Sequence, residues 1–273
     1  MKQLFIFSTI IILGFLSGGC KKKKEEEKQP FVLFSIEDDK QLGLQVKQEI
    51  ESDPIQYPIL PERGNEEAYR YLRALTQEIL DKGNLTYRNE FAWEVKIIKN
   101  DNVLNAFCTP GGYIYVYTGL IKYLDKADDL AGVMGHEIAH ADRRHSMRQI
   151  QNQYGIQIIS SILLGNNPTL LEQLTAQIAG TLTGLSFSRD HEREADMFSV
   201  RYLSNTQYAC NGAASFFEKL LLEEQAGRIP EFLSTHPSPE NRVQAINAKA
   251  DEIRCSKIPS NTLSSYQRFK SLL

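Results

Sequence analysis

Cysteine is scarce in this 273-residue chain, with only Cys20, Cys108, Cys210 and Cys255 present. Four are too few for a disulfide scaffold, so an ordinary apolar core must hold the fold, and a chain of this length can bury one. A surplus of one charge is also missing. Lys and Arg total 31 against 34 Asp and Glu, a formal net charge of −3, so there is no basic excess to track a phosphate backbone and no case for nucleic-acid binding. The 42% of hydrophobic residues exclude a disordered chain. Beyond the N-terminus no apolar run reaches the length of a transmembrane helix. Histidine is sparse too, five residues in all, and where those five fall is the main clue.

What is present begins with an export signal. Lys2 precedes an apolar stretch from Leu4 to Leu16, and Ser17-Gly18-Gly19 then leads to Cys20. The apolar stretch is too short to span a bilayer comfortably, and the layout is that of a secretory signal peptide over residues 1–19. Small residues directly before a cysteine resemble a bacterial lipobox, with Leu16 four residues ahead of Cys20 rather than the usual three. Cys20 is therefore expected to carry lipid. Lys21 to Lys28 is fully charged and reads as a solvated spacer. The expected organisation is a signal peptide (1–19), a lipidated cysteine and charged tether (20–37) and one folded domain (38–273). Outside the cytoplasm disulfides persist. With Cys20 modified, Cys210 and Cys255, each near a predicted helix end, are the favoured pair.

The domain reads as α+β. Helices are expected at 38–52 and 65–80, and the second carries Tyr69, Leu72, Leu75, Ile79 and Leu80 at helical spacing. Residues 55–61 read as extended. Strands are expected at Trp93–Ile97, Val103–Phe107 and Tyr113–Tyr117, with a turn at Thr109-Pro110-Gly111-Gly112. Tyr113, Tyr115 and Tyr117 share one strand face by period two and are expected to pack against the helical segment 119–148. Further helices are expected at 119–124, 127–148, 152–164, 168–184, 188–204, 212–225 and 239–252. A small mixed sheet followed by a helical majority is the α+β pattern.

Within 127–148 lies His136-Glu137-Ile138-Ala139-His140. Histidines at i and i+4 project from one helix face a turn apart, so both imidazoles reach one Zn²⁺. This is the H-E-x-x-H metallopeptidase arrangement, with Glu137 placed as general base. A third ligand is needed. The longer pattern with a third histidine fails, because Arg143 and Ser146 occupy its glycine and histidine positions. The segment 188–204 offers Glu192 and Asp196, four apart and on one face, with Glu194 about 200° around the helix from Glu192. Spacing alone leaves a zinc role and a solvated, salt-bridged face equally open.

Asn105-Ala106-Phe107, Pro110-Gly111-Gly112-Tyr113, the His136–His140 motif, Ser188-Arg189 through Ala195-Asp196, and His236-Pro237-Ser238-Pro239-Glu240-Asn241-Arg242 occur in one order. Together they resemble the gluzincin metallopeptidase family of the CAAX prenyl protease and HtpX, most of all its periplasmic lipoprotein members of the LoiP and BepA kind. The likeness covers about residues 38–252 and implies a zincin-like fold that is mostly helical. It implies Glu192 as third zinc ligand, Asp196 as the partner that orients a ligand histidine, and Asn105, Ala106 and Phe107 as the strand edge that pairs with substrate. In relatives the His236 loop approaches the metal, so His236 is either a latency ligand or, with Arg242, a stabiliser of the transition-state oxyanion. His145 is expected to hydrogen-bond a neighbouring helix and His191 to lie at the surface or in packing, neither as a ligand. The function implied is zinc-dependent endopeptidase action on unfolded or misfolded envelope proteins. It would act at the periplasmic face, anchored by lipid, in the outer membrane rather than the inner. The competing reading is a periplasmic chaperone or assembly factor using the same cleft with structural or latent zinc. Glu137 argues against it, since a structural site has no use for that carboxylate.

Overall fold

In the computed structural model, residues 31–163, 168–180, 187–225, 231–237 and 241–273 are described. Among them the chain forms α1 (Ile36–Ser52), α2 (Glu66–Lys82), β1 (Glu94–Ile98), β2 (Ala106–Thr109), β3 (Tyr113–Tyr117), α3 (Thr118–Tyr123), α4 (Ala127–Asp142), α5 (His145–Leu163), α6 (Pro168–Gly180), α7 (Arg189–Leu203), α8 (Gly212–Gln225), α9 (Glu231–Thr235), α10 (Arg242–Ile253) and α11 (Leu263–Ser271). None of these helices is long and apolar enough to cross a membrane. The signal peptide, Cys20 and the charged run lie outside the described residues.

The fold starts earlier than residue 38. Ser35 caps α1 by accepting from the Asp38 backbone N–H, while the Asp38 carboxylate accepts from the Ser35 N–H at 2.7 Å. This capping box fixes the helix start, and Phe34 is already buried. Residues 32–37 thus belong with the domain and not with the tether.

The sheet has the order β1-β3-β2, with β1 parallel and β2 antiparallel to β3. The turn from β2 to β3 needs two residues with positive φ, supplied by Gly111 and Gly112. Ile59 forms an isolated bridge to Ile98 and the Leu60 N–H donates to the Ile97 carbonyl, so the expected 55–61 segment is extended beside β1 only around Ile59, while 54–57 form a turn. Alternation along β3 separates two cores. Ile114 and Val116 join Val95, Ile97 and the apolar faces of α2 and α4. Tyr115 and Tyr117 point the other way, to Leu42 and Val46 of α1, Met147 of α5 and Leu174 of α6. The tyrosine face therefore packs against the α1–α6 layer and not against α4 as expected. Period two fixes which residues share a face, but not which layer covers it.

All 16 residues of α4 are buried. On one side it meets α8 backbone to backbone: a Cβ on Gly132 would lie 2.1 Å from the Ala213 nitrogen, and one on Gly212 2.0 Å from the Asp128 carbonyl oxygen. The expected helix 127–148 is broken after Asp142. The Asp142 carboxylate accepts from the backbone N–H groups of Thr86 (3.1 Å) and Tyr87 (2.7 Å) and from the Tyr202 hydroxyl (2.5 Å). Two residues on, Arg144 has φ +56°, and its guanidinium is buried against Asp39 at 2.7 Å and the Phe34 carbonyl at 2.6 Å. These long-range bonds end α4 and restart the chain as α5 in a new direction.

Gly155, with φ +72°, interrupts α5. α6 runs to Gly180, and 181–184 of the expected helix lie outside the described residues. α10 starts at Arg242 behind Asn241 in a left-handed conformation, while Pro239, expected to open that helix, lies outside the described residues. α9 and α11 have no counterpart in the sequence reading; α11 buries Tyr266 and Phe269. Cys210, just before α8, and Cys255, just after α10, are joined by a disulfide, and Cys108 is a buried free thiol.

Candidate metal centre

α4 presents His136 and His140 on one face, and α7, packed alongside, delivers Glu192 between them. The His136 and His140 Nε2 atoms are 3.0 Å apart, and each lies 3.3 Å from a Glu192 carboxylate oxygen. All three side chains are essentially inaccessible to solvent. Two donors each about 2.0–2.1 Å from a tetrahedral zinc stand roughly 3.3 Å from one another, so the donor set and its spacing fit this ion. Burial would raise the Glu192 carboxyl, but His236, His140 and His136 outweigh it and hold the group ionised, well below the usual carboxylate range. Burial pushes His140 well down, towards the neutral imidazole that a ligand must be.

The other ring nitrogen of His136 meets a carboxylate. Its Nδ1 lies 2.9 Å from Asp196 Oδ1, a carboxylate contact of the kind that fixes tautomer and ring direction in a ligand histidine. Arg242 ties the two α7 carboxylates together, donating from Nη2 to Glu192 at 3.0 Å and Asp196 at 2.8 Å. Its guanidinium also stacks 3.5 Å from the Phe217 ring centroid. Nη2 thus orients the two α7 carboxylates, while Nη1 is buried with no hydrogen-bond partner among the described residues and stays free for the expected oxyanion contact.

His236 follows α9 and closes the cluster. Its Nδ1 is 3.1 Å from Glu192 Oε1 and 3.4 Å from His136 Nε2, so four donors lie within 4.8 Å of one another. Phe232 stacks on His236 at 4.3 Å and Phe187 on His140 at 4.0 Å, sealing the donors in an apolar shell where charge interactions are strong. Glu137 turns into the same space. Its Oε1 makes no hydrogen bond among the described residues, and His236 Nε2 lies 3.6 Å from it. Burial raises the Glu137 carboxyl, with His236 and His136 pulling the other way, a direction suited to a group that takes and returns a proton near neutral pH.

The strand edge lies across a cleft from Glu137. Among the described residues β2 has a neighbour on one side only. The Tyr117 N–H donates to the Asn105 carbonyl, and since antiparallel pairs alternate, Asn105 and Phe107 turn their backbones to β3. Ala106 and Cys108 turn theirs to the open edge, although the Ala106 N–H is already taken by the Asn105 side chain at 2.9 Å. The strand expected at 103–107 thus starts three residues later and ends two later, at 106–109, and Cys108 joins Ala106 at the edge. Asn105 is buried and structural, and the Phe107 ring stacks on Tyr115 at 4.8 Å in the second core. Phe107, Cys108, Thr109, Glu137, Phe187 and His236 line the cleft, so Phe107 borders both the second core and the expected substrate side.

A sequence model of peptidase family M48 matches residues 66–250, which takes in both metal helices, the strand edge and Arg242. The chain belongs to peptidase family M48. This agrees with the resemblance drawn from its motifs. The beta-barrel assembly-enhancing protease of Escherichia coli is 33% identical over 175 residues, 60% of this chain and 36% of that protein. The protein of the same name in Yersinia pestis is 26% identical over 270 residues, 91% of this chain and 53% of the relative. The mitochondrial metalloendopeptidase OMA1 of Schizosaccharomyces pombe is 31% identical over 174 residues, 63% of this chain and 51% of its own. The chain thus spans about a third to a half of the length of these curated relatives.

Sequence reasoning missed a histidine. In a continuous helix the residue five after His140 would point about 140° away from it. Because α4 ends at Asp142, His145 instead swings back under His140, with the two Nδ1 atoms 2.9 Å apart. His191, expected at the surface or in packing, is buried and stacks on His145 at 4.6 Å. The only local sign of the break is the polar run Asp142-Arg143-Arg144, and its cause lies in partners more than fifty residues away.

Proposed function

We propose that this M48 protein is a zinc-dependent endopeptidase of the bacterial envelope that cleaves unfolded or misfolded outer-membrane proteins. His136, His140 and Glu192 hold the zinc, which, when bound, polarises the scissile carbonyl and acidifies the attacking water. Glu137 accepts the proton of that water and returns it to the leaving amine. Asp196 and Arg242 keep the ligand set in place, and the phenylalanines exclude bulk solvent. An extended substrate adds to the Ala106–Cys108 edge by backbone pairing, a mode that reads chain extension more than side-chain identity and so favours unfolded segments.

The observation that carries the reading is Glu137, a buried carboxylate beside the four-donor cluster whose Oε1 makes no hydrogen bond among the described residues. Support for the envelope comes from the signal-peptide pattern, the Cys210–Cys255 disulfide and the names of the bacterial relatives. His236, as a fourth donor beside the three ligands, would block the position a substrate carbonyl takes; on this reading it is a latency ligand that must withdraw for a peptide to enter. Cleavage of casein and of unfolded outer-membrane protein by the purified protein tests the proposal. Glu137→Gln should retain zinc and lose about 10²–10⁴-fold in rate. Equal cleavage by both proteins would refute the assignment of Glu137. If the zinc-loaded wild type cuts nothing and Glu137→Gln keeps its cellular function, the chaperone reading takes its place.

A further inference from the structure

Two histidines face each other at 2.9 Å through like nitrogens, and that contact carries information about protons. To offer Nε2 to a metal, His140 must keep its proton on Nδ1. The neighbour of that nitrogen is His145 Nδ1, which must then be the acceptor and bear no proton. His145 therefore carries its proton on Nε2, which lies 3.3 Å from Glu194 Oε2 as an ion-pair contact, outside hydrogen-bond geometry in the arrangement seen. Glu194 is fixed in turn by Arg143 Nε at 2.7 Å and Arg148 Nη1 at 2.7 Å. The reverse assignment, with the shared proton on His145, would leave His140 protonated on Nε2 and unable to bind metal.

We propose that His145 and Glu194 are positioning residues that hold His140 in its ligating tautomer. They form a two-link relay, carboxylate to imidazole to ligand imidazole, where His136 has the direct partner Asp196. The relay rests on the metal-site reading above and extends it. Glu194, on the side of α7 away from the metal, acquires a function there: one helix supplies a ligand, the partner of one ligand histidine and the remote anchor of the other. The Asp142–Arg144 break is what brings His145 into place. The stacked His191 ring and the two arginines leave the relay little freedom to rotate.

The test uses the full-length protein and reads metal affinity as well as activity. Zinc affinity is measured by competition with a chelator, and Co²⁺ substitution reports ligand geometry in the visible spectrum. His145→Leu removes the acceptor at similar bulk and should weaken zinc binding about 10–100-fold, the usual effect of losing such a partner. His145→Asn places an amide oxygen where Nδ1 stood, so it should restore most of the affinity and the Co²⁺ spectrum. Glu194→Gln should weaken binding in the wild-type background and have little further effect in His145→Asn, where the second link no longer exists. Wild-type zinc affinity in His145→Leu overturns the relay. So do equal losses in His145→Leu and His145→Asn with matching falls in melting temperature, because that pattern marks a packing role. A wild-type protein that binds neither metal overturns the metal site itself, and the relay with it.

Discussion

The Cys210–Cys255 crosslink allows a quantitative prediction. It closes a loop of 45 residues that contains α8, α9 and α10. Closing a loop of that size removes roughly 13 cal/mol/K of chain entropy from the unfolded state, about 4 kcal/mol at 25 °C. For a domain of this length 1 kcal/mol corresponds to about 2–4 °C in Tm, so the double variant Cys210→Ser/Cys255→Ser should melt about 8–16 °C below the wild type. Scanning calorimetry or far-UV circular dichroism measures this directly. Wild-type protein in excess reductant should move to the same Tm. Cys108→Ser in the oxidised protein should not, since Cys108 is a buried free thiol outside the loop. α10 begins with Arg242, which grips Glu192 and Asp196, so loss of the crosslink should also lower the temperature at which zinc is released. A double variant within about 2 °C of the wild type would refute the argument. It would mean that local bonds such as Cys210 N–H to the Ser256 carbonyl already hold the two ends together.

His236→Ala should raise proteolysis of an unfolded substrate, by roughly tenfold for each 1.4 kcal/mol favouring the closed arrangement; unchanged or lower turnover at equal zinc content would remove the blocking role. Gly132→Ala drives a methyl group into the α8 backbone and should destabilise by about 1–3 kcal/mol or more, read as a lower Tm. A variant as stable as the wild type would show that α4 and α8 can separate freely. Burial pushes His191 down to about 4, below its unfolded value near 6.5, so its neutral form stabilises the fold above pH 6.5 and that contribution fades as pH falls towards 4. In metal-free protein, His191→Phe should flatten the loss of stability between pH 6.5 and 4, and an unchanged slope would assign the acid sensitivity elsewhere.

The parts of the site legible in the sequence are those set by helical geometry. His136 and His140 share a face because they are four apart, and so do Glu192 and Asp196, whatever packs around them. Strand alternation was legible for the same reason. What escaped was decided at long range. Arg144 takes positive φ because Asp39 and the Phe34 carbonyl, more than a hundred residues earlier, receive its guanidinium, and Asp142 stops α4 because the Thr86–Tyr87 backbone and Tyr202 converge on it. His145 is invisible to periodicity as a consequence. The later start and end of β2 follow from pairing with β3, which no local pattern specifies. Arg242 was found by motif, yet its grip on two carboxylates depends on α7 and α10 crossing where they do.

The supports of the four donors differ in stiffness. His136 and His140 sit on a helix buried along its whole length, and Glu192 sits on the 15-residue helix packed beside it. His236 hangs from a helix of five residues. In mechanical terms the cluster has three rigid mounts and one compliant one. A force arriving from outside, whether from an incoming chain or a neighbouring protein, will be absorbed almost wholly by the fourth. Metal retention and site opening can therefore be tuned independently: substitutions in α9 alter the threshold for opening, while the metal stays where the two long helices put it.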